Sequence, residues 1–299
     1  MNQAESQIGF NRIFHPSDLS EASEVAFAHA LRLALPGQSR LTILHTDPEG
    51  SEARWSEFPG VRRALERWGV LPPGSLKDAV AGLGLEVEKI ATPHRDPVAA
   101  ILSYLSQHPH DLIVLSTHQY EGLRRWLHKT VAEPVARRSG EMTLFIPRGF
   151  DGFVSRRDGS VTLRHVLIPV DHHPYPQPAI EAAASIASRA GVRAVNFTLL
   201  HVGHEGDFPE LRTPGREGWK WRRIIRQGGV EEHVLLAEIE YEVDLIVMTT
   251  AGHDGFLDAL RGSTTERIVR MASCPVLAVP AVESAAVSPE VVPGWQPAV

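Results

Sequence analysis

The sequence predicts an α/β protein of two tandem domains, each an open, parallel β-sheet sandwiched between helices. Three observations carry this expectation. Short β-rich apolar runs, such as HVLIPV (165–170), FTLLHV (197–202) and DLIVM (244–248), alternate with helical stretches, the pattern of a parallel sheet covered on both faces. Residues 111–133 line up without gaps on residues 244–266, so one unit occurs twice. The 299 residues, 43% of them hydrophobic, suffice for two cores of ordinary size.

Each copy reads as strand, helix, strand, then strand, helix, strand and a final helix before a closing strand. In the first copy FHPSD, ending at Asp18, closes strand one. Ser20 with Glu21 and Glu24 then opens a helix to about Leu35, stopped by Pro36 and Gly37. LTILH, ending at His45, is strand two, and an amphipathic helix is expected near residues 54–68. The second copy repeats these pieces as IPVD, ending at Asp171, and FTLLH, ending at His201, but is shorter before its DLIVM strand. There it carries the loop GHEGDFPELRTPGREG, which leaves a neighbouring pocket less covered. Between the copies, GFVSRRDGSVTLR contains Asp158-Gly159, the pair favoured in two-residue hairpin turns. The expected layout is therefore domain 1–148, hairpin linker 149–164, domain 165–281 and an irregular tail 282–299.

Composition narrows the function. A formal net charge of -6 and the lack of a dense Lys/Arg run argue against nucleic acid or an anionic membrane as partner. The single cysteine, Cys274, cannot form an internal disulfide, and the opening residues lack a signal-peptide layout. No apolar run approaches the roughly 18 to 20 residues that span a bilayer. A cytoplasmic, soluble protein is expected.

In an open parallel sheet, ligands bind beyond the carboxyl ends of strands where the strand order reverses. Adjacent first and fourth strands would bring Asp171 and the loop after Thr249 into one crevice. That loop suits an anion. Gly252 and Gly255 allow backbone conformations closed to other residues, and Gly262 allows close approach to the main chain. The run Ser263, Thr264, Thr265, Glu266 is a capping box, and a helix start attracts phosphate. The first copy keeps the cap at Thr130 and Glu133 but has Gln119 for Gly252 and Lys129 for Gly262. Folding therefore does not require those two glycines, which points to a ligand role in the second copy.

The segments IPVD, LLHV and DLIVMTTAGHDGFLDALRGSTTERIVRMASCPVLAVP resemble the universal stress proteins, here in a tandem two-domain form. The resemblance covers about residues 8–280 and implies a sheet order of 3-2-1-4-5 in each domain. Many members bind ATP through glycine, two residues, glycine, nine residues, glycine and then Ser or Thr. Here Gly252, residues 253–261, Gly262 and Ser263 match, while Thr249 replaces the first glycine. The resemblance implies a site at Pro169, Val170 and Asp171, with Asp171 toward the adenine and ribose. Thr249, Gly252, His253, Gly255, Gly262, Ser263 and Thr264 would surround the phosphates of ATP or another adenine nucleotide, with or without Mg. It also implies regulation in a stress response, with at most slow ATP hydrolysis. In the first copy the motif positions read Ser116, Gln119, Lys129 and Thr130, a degenerate motif suited to a structural or regulatory partner. The family pairs domains through the final strand, so MTLFIP and CPVLAVP are expected to meet antiparallel as an intrachain pseudo-dimer. A homodimer of the tandem remains open.

Two rival readings stand beside this one. His172, His173, His201, His204 and His253 all fall at predicted strand ends of the second copy and could ligate a transition metal, as in a metal-binding protein or metal-dependent hydrolase. Against this, His201 has a twin in His45, and neither HExxH nor paired-cysteine spacing occurs. The other rival is a ligand-free interaction scaffold, with Thr249 spoiling the pocket. GxSxG, Walker and GxGxxG motifs are lacking.

Overall fold

The computed structural model describes residues 8–47, 57–117, 131–250 and 264–281. The N-terminal half contains β1 (Arg12–Pro16), α1 (Glu21–Ala34), β2 (Ser39–Thr46), α2 (Val61–Arg67), α3 (Asp78–Ala81), β3 (Leu85–Thr92), α4 (Pro97–Gln107), β4 (Leu112–Thr117), α5 (Ala132–Ser139) and β5 (Thr143–Pro147). The C-terminal half contains β6 (His165–Pro169), α6 (Gln177–Arg189), β7 (Val195–Val202), β8 (Trp219–Arg226), α7 (Val230–Glu240), β9 (Leu245–Thr250), α8 (Thr264–Met271) and β10 (Val276–Pro280).

The strands form one ten-stranded sheet in the order β3-β2-β1-β4-β5-β10-β9-β6-β7-β8. Each half alone reads 3-2-1-4-5 and is parallel throughout. The halves join where β5 and β10 pair antiparallel, with Phe145 opposite Val276 and Thr143 opposite Ala278. This covers two edges that would otherwise offer free backbone groups to other chains. The fold class and the closing-strand contact expected from sequence are both present.

Strand alternation splits the core into two layers. Ile13, Ile43, Ile168 and Val247 pack with α1 and α6 on one face. Phe14, Leu115, Leu200 and Met248 pack with α4, α5, α7 and α8 on the other. Helix-end chemistry follows the sequence at α1, where Ser20 Oγ accepts the Ser23 amide at 3.2 Å. The insertion helix is shorter than the pattern suggests. It spans Val61–Arg67, and residues 54–56 of the expected helix lie outside the described residues.

The connection between the halves differs in detail from the two-residue turn. Ser155 N donates to Ser160 O, Gly159 N donates to Ser155 O, both at 2.9 Å, and Val154 bridges Val161. Four residues therefore form the loop, with Gly159 at φ +69. Asp158 turns inward to accept the Ser160 amide and hydroxyl at 3.1 and 2.7 Å, an alternative to the backbone pairing of a tighter hairpin. The hairpin is anchored to the N-terminal half. The Phe153 and Val154 amides both donate to His29 Nε2 at 3.1 Å, while Trp68 Nε1 donates to Arg156 O.

Two further contacts tie the halves together. Arg189 of α6 donates to Leu33 O, Pro36 O, Ser39 Oγ and Asn11 Oδ1. On the opposite face Arg270 of α8 makes a two-pronged bond to Glu133 of α5, at 2.7 and 2.9 Å.

Candidate functional site

In the C-terminal half β6 lies between β7 and β9. The connection from β6 through α6 leaves on one side and the strand order then reverses to β9 on the other, which opens a crevice at the carboxyl ends of the two strands. Pro169 and Val170 end at this rim and Asp171 follows in the loop, its carboxylate exposed and accepting the His172 amide at 2.7 Å. Thr249 lies on the neighbouring strand, and Thr264 begins α8. Five of the sequence-derived positions thus sit at strand or helix ends around one switch point. Gly252, His253, Gly255, Gly262 and Ser263 lie outside the described residues.

Thr249 keeps the strand alternation of β9. It follows Leu245 and Val247 in the alternation, on the α6 face, whereas Ile246 and Met248 face α7 and α8. Its side chain is 8% exposed and Oγ1 has no hydrogen-bond partner among the described residues. The methyl and hydroxyl that replace a glycine are thus directed to the face opposite α7 and α8.

Two of the candidate histidines, His201 and His172, are held by backbone carbonyls. His201 Nδ1 donates to Val170 O at 3.1 Å, and its Nε2 is buried so close to Gly203 that a Cβ there would lie 2.5 Å away. His45 repeats the first bond, with Nδ1 donating to Ser17 O at 2.8 Å. His172 Nε2 donates to Asp207 O at 2.9 Å. Among the described residues no group of three or more His, Cys, Asp and Glu side chains could hold a metal ion; His253 lies outside them. The loop after β7 is fastened over the start of α6. Tyr175 Oη donates to Glu210 O, and Gln177 exchanges two 3.0 Å bonds with the Arg212 backbone.

The N-terminal half has a feature that sequence reading missed. A cavity of about 300 Å³ opens at the equivalent switch point. Its walls include Pro16, Asp18, Leu44 and Leu115, and it is roofed by Ile101 of α4 and Ala132 of α5. The strand residues were visible as repeat partners of Pro169, Asp171, Leu200 and Met248, but the roof depends on where two helices come to rest. Asp96 Oδ1 accepts the Val98 and Ala99 amides at the start of α4, so that helix end is already capped beside the cavity. The size is at the lower end of small-molecule pockets and suits a base with its sugar. The fold therefore leaves room of that size beside Asp18.

The universal stress protein family model matches residues 9–147 and 215–280. The chain belongs to the universal stress protein family. A universal stress protein of Methanocaldococcus jannaschii is 27% identical over 145 residues, covering 41% of this chain and 85% of that protein. A universal stress protein A homolog of Coxiella burnetii is 29% identical over 138 residues, covering 39% and 95%. Each relative thus corresponds in length to about half of this tandem. Among solved structures, a universal stress protein from Archaeoglobus fulgidus superposes with a TM-score of 0.60 at 17% identity, covering 92% of this chain and 98% of that one. A further universal stress protein structure, from Pseudomonas aeruginosa, gives 0.54 at 14% identity over 92% and 94%. Both share the fold. No helix among the described residues is long and apolar enough to cross a membrane.

Proposed function

We propose that the C-terminal half binds an adenine nucleotide and that occupancy, rather than turnover, is its output. The observation that carries this reading is the pairing of β6 with β9, which puts Asp171 and the start of the glycine loop at one switch point. Asp171 receives the base and ribose. The glycine loop and the start of α8 receive the phosphates, through free helix amides and the positive end of the helix dipole. Thr249, directed toward α6, leaves its backbone to line the crevice. Mg bound through the phosphates would add charge neutralisation there. The N-terminal crevice lacks the glycines, and Lys129 stands where close backbone approach is needed, so it is assigned no phosphate site.

The direct test is to purify the chain without added ligand, denature it and identify any released small molecule by mass spectrometry, with titration calorimetry of ATP, ADP and AMP alongside. The expected result is one adenine nucleotide site per chain. No released nucleotide together with no titratable heat would end this reading and favour the ligand-free scaffold. Stoichiometric metal in place of nucleotide would favour the histidine reading.

A further inference from the structure

The duplication supplies a position-by-position comparison of α4 and α7. Both helices have eleven residues, and both stand at the same distance before the matched Asp111 and Asp244. Ser103 therefore corresponds to Leu236 and Ser106 to Ile239. One helix further on, Arg138 corresponds to Met271. In the C-terminal half all three are exposed, Leu236 to 50%, Ile239 to 76% and Met271 to 63%. Serine suffices for this fold at the first two positions, so the apolar side chains answer to something other than the core. Isolated exposed leucines are ordinary; a polar-to-apolar exchange at each of three matched sites of one helical layer is not accounted for in that way.

The charges around α7 are arranged in opposition. Glu232 lies one turn before Leu236 on the same exposed stripe. Beyond the other end of the helix a broad cleft of about 630 Å³ is lined by Ile239, Tyr241, Lys220 and Arg222, with Glu240 and Glu242. Arg226 already binds Glu240 at 3.2 Å, which leaves Lys220 and Arg222 against Glu242. Arg222 is held in place, its guanidinium 3.9 Å above the Tyr241 ring and its Nε donating to Thr198 Oγ1 at 2.7 Å. With Arg226 counted, three cations face two carboxylates there, so the cleft carries a small positive excess where the far end of the stripe carries Glu232.

We propose that this face docks a second copy of the chain, α7 against α7, across a two-fold axis. A two-fold perpendicular to the helices sets them antiparallel. With the axis between Leu236 and Ile239, Leu236 of one copy meets Ile239 of the second. Glu232 of each copy then reaches past the end of the opposite helix to Lys220 and Arg222, so the charges match twice. The route through the closing strand is taken, because β5 and β10 already pair within the chain. The proposal is independent of nucleotide binding.

Sedimentation velocity of the full chain across a roughly hundredfold concentration series tests it, since a dimer must strengthen with concentration. The wild type should pass from monomer to dimer. Leu236→Ser with Ile239→Ser, copying the N-terminal half, should remain monomeric with an unchanged melting temperature. Glu232→Lys should weaken the dimer about tenfold, a change of about 1.4 kcal/mol, and added Lys220→Glu should restore it. A wild type that stays monomeric, a serine variant that dimerises as tightly as wild type, or a charge swap no tighter than Glu232→Lys alone would each overturn the proposal.

Discussion

At the end of its first strand the N-terminal half buries His15 where the C-terminal half has Ile168, and its first helix buries His29 whereas α6 contains no histidine. The C-terminal half carries glycines at 252 and 262 where the N-terminal half has Gln119 and Lys129. A duplicated fold thus reports which residues the architecture needs and which were free to take other tasks. Strand apolarity, the His at the end of strand two and the closing strand are shared and belong to the architecture; the Asp after strand one is shared as well, at the rim of each crevice. The differences divide into buried imidazoles in one half and a phosphate-suited loop in the other.

The largest expected effect of that difference is acid sensitivity. His29 Nε2 accepts two amides, so its proton sits on Nδ1, which donates to Val25 O at 2.8 Å. His15 Nδ1 donates to Val114 O at 2.9 Å, and its Nε2 accepts from the Ser23 hydroxyl. Complete burial drives both imidazoles down to about 4. Each is neutral in the fold but gains a proton in the unfolded chain near 6.5. Their stabilisation is therefore complete above pH 6.5 and is lost as pH falls toward 4, about 3 kcal/mol for each. Two buried carboxyls act with the opposite sign. Burial raises Glu141 to about 7 and raises Glu238 as well, one in each half, so they do not distinguish the halves. Hydrogen exchange at pH 7.5 and pH 4.5 should show the N-terminal half losing protection first, and His15→Ile should reduce the difference. Equal loss in both halves would contradict this account.

Next in size is the hairpin connection, which belongs structurally to the N-terminal half. A Cβ on Gly159, at φ +69, would lie 2.5 Å from Trp68 Cδ2. Gly159→Ala combines left-handed strain with a clash against a ring packed in the core, and should cost about 2 to 4 kcal/mol in urea unfolding. A neutral result would mean that α2 and the hairpin separate easily.

Gly262→Val sharpens the functional side of the comparison. It should weaken ATP binding at least about thirtyfold, or about 2 kcal/mol, with the melting temperature of the ligand-free protein unchanged. Thr249→Gly, at a side chain turned toward α6, should alter affinity by less than about threefold. An ATP affinity untouched by the valine would place the phosphates elsewhere. A modest effect on stability is expected at Arg270→Ala, which removes the two-pronged bond to Glu133 between the halves. Partly exposed as it is, that pair should contribute about 1 kcal/mol, read from the denaturation midpoint.

Much of this was legible in the chain itself, for local reasons. Apolar runs mark strands, Ser20 marks the start of α1 by its own hydroxyl, and the repeat makes the second half a check on the first. What escaped is a local competition in the hairpin turn and, beyond that, contacts between residues far apart. The four-residue turn reflects competition by the Asp158 carboxylate. The N-terminal cavity exists because α4 and α5 rest at a distance from Leu44 and Leu115, which no single segment encodes. The orientation of Thr249 needed the sheet alternation to be anchored at Val247 and Met248. His29 gave no signal within its own helix because its partners, the amides of Phe153 and Val154, lie beyond the whole first domain in sequence.

The antiparallel contact of β5 with β10 also decides where the two crevices look. Strands within each half are parallel, so reversing direction at the seam sends the carboxyl ends of one half to one rim of the slab and those of the other half to the opposite rim. The molecule is double-ended. Whatever sits at Asp18 and whatever sits at Asp171 are separated by at least a strand length, about 17 Å, and cannot compete for space. The two rims are therefore open to solvent on opposite sides, and any coupling between them runs through the β5–β10 contact together with the Arg189 and Arg270 bonds that join the halves.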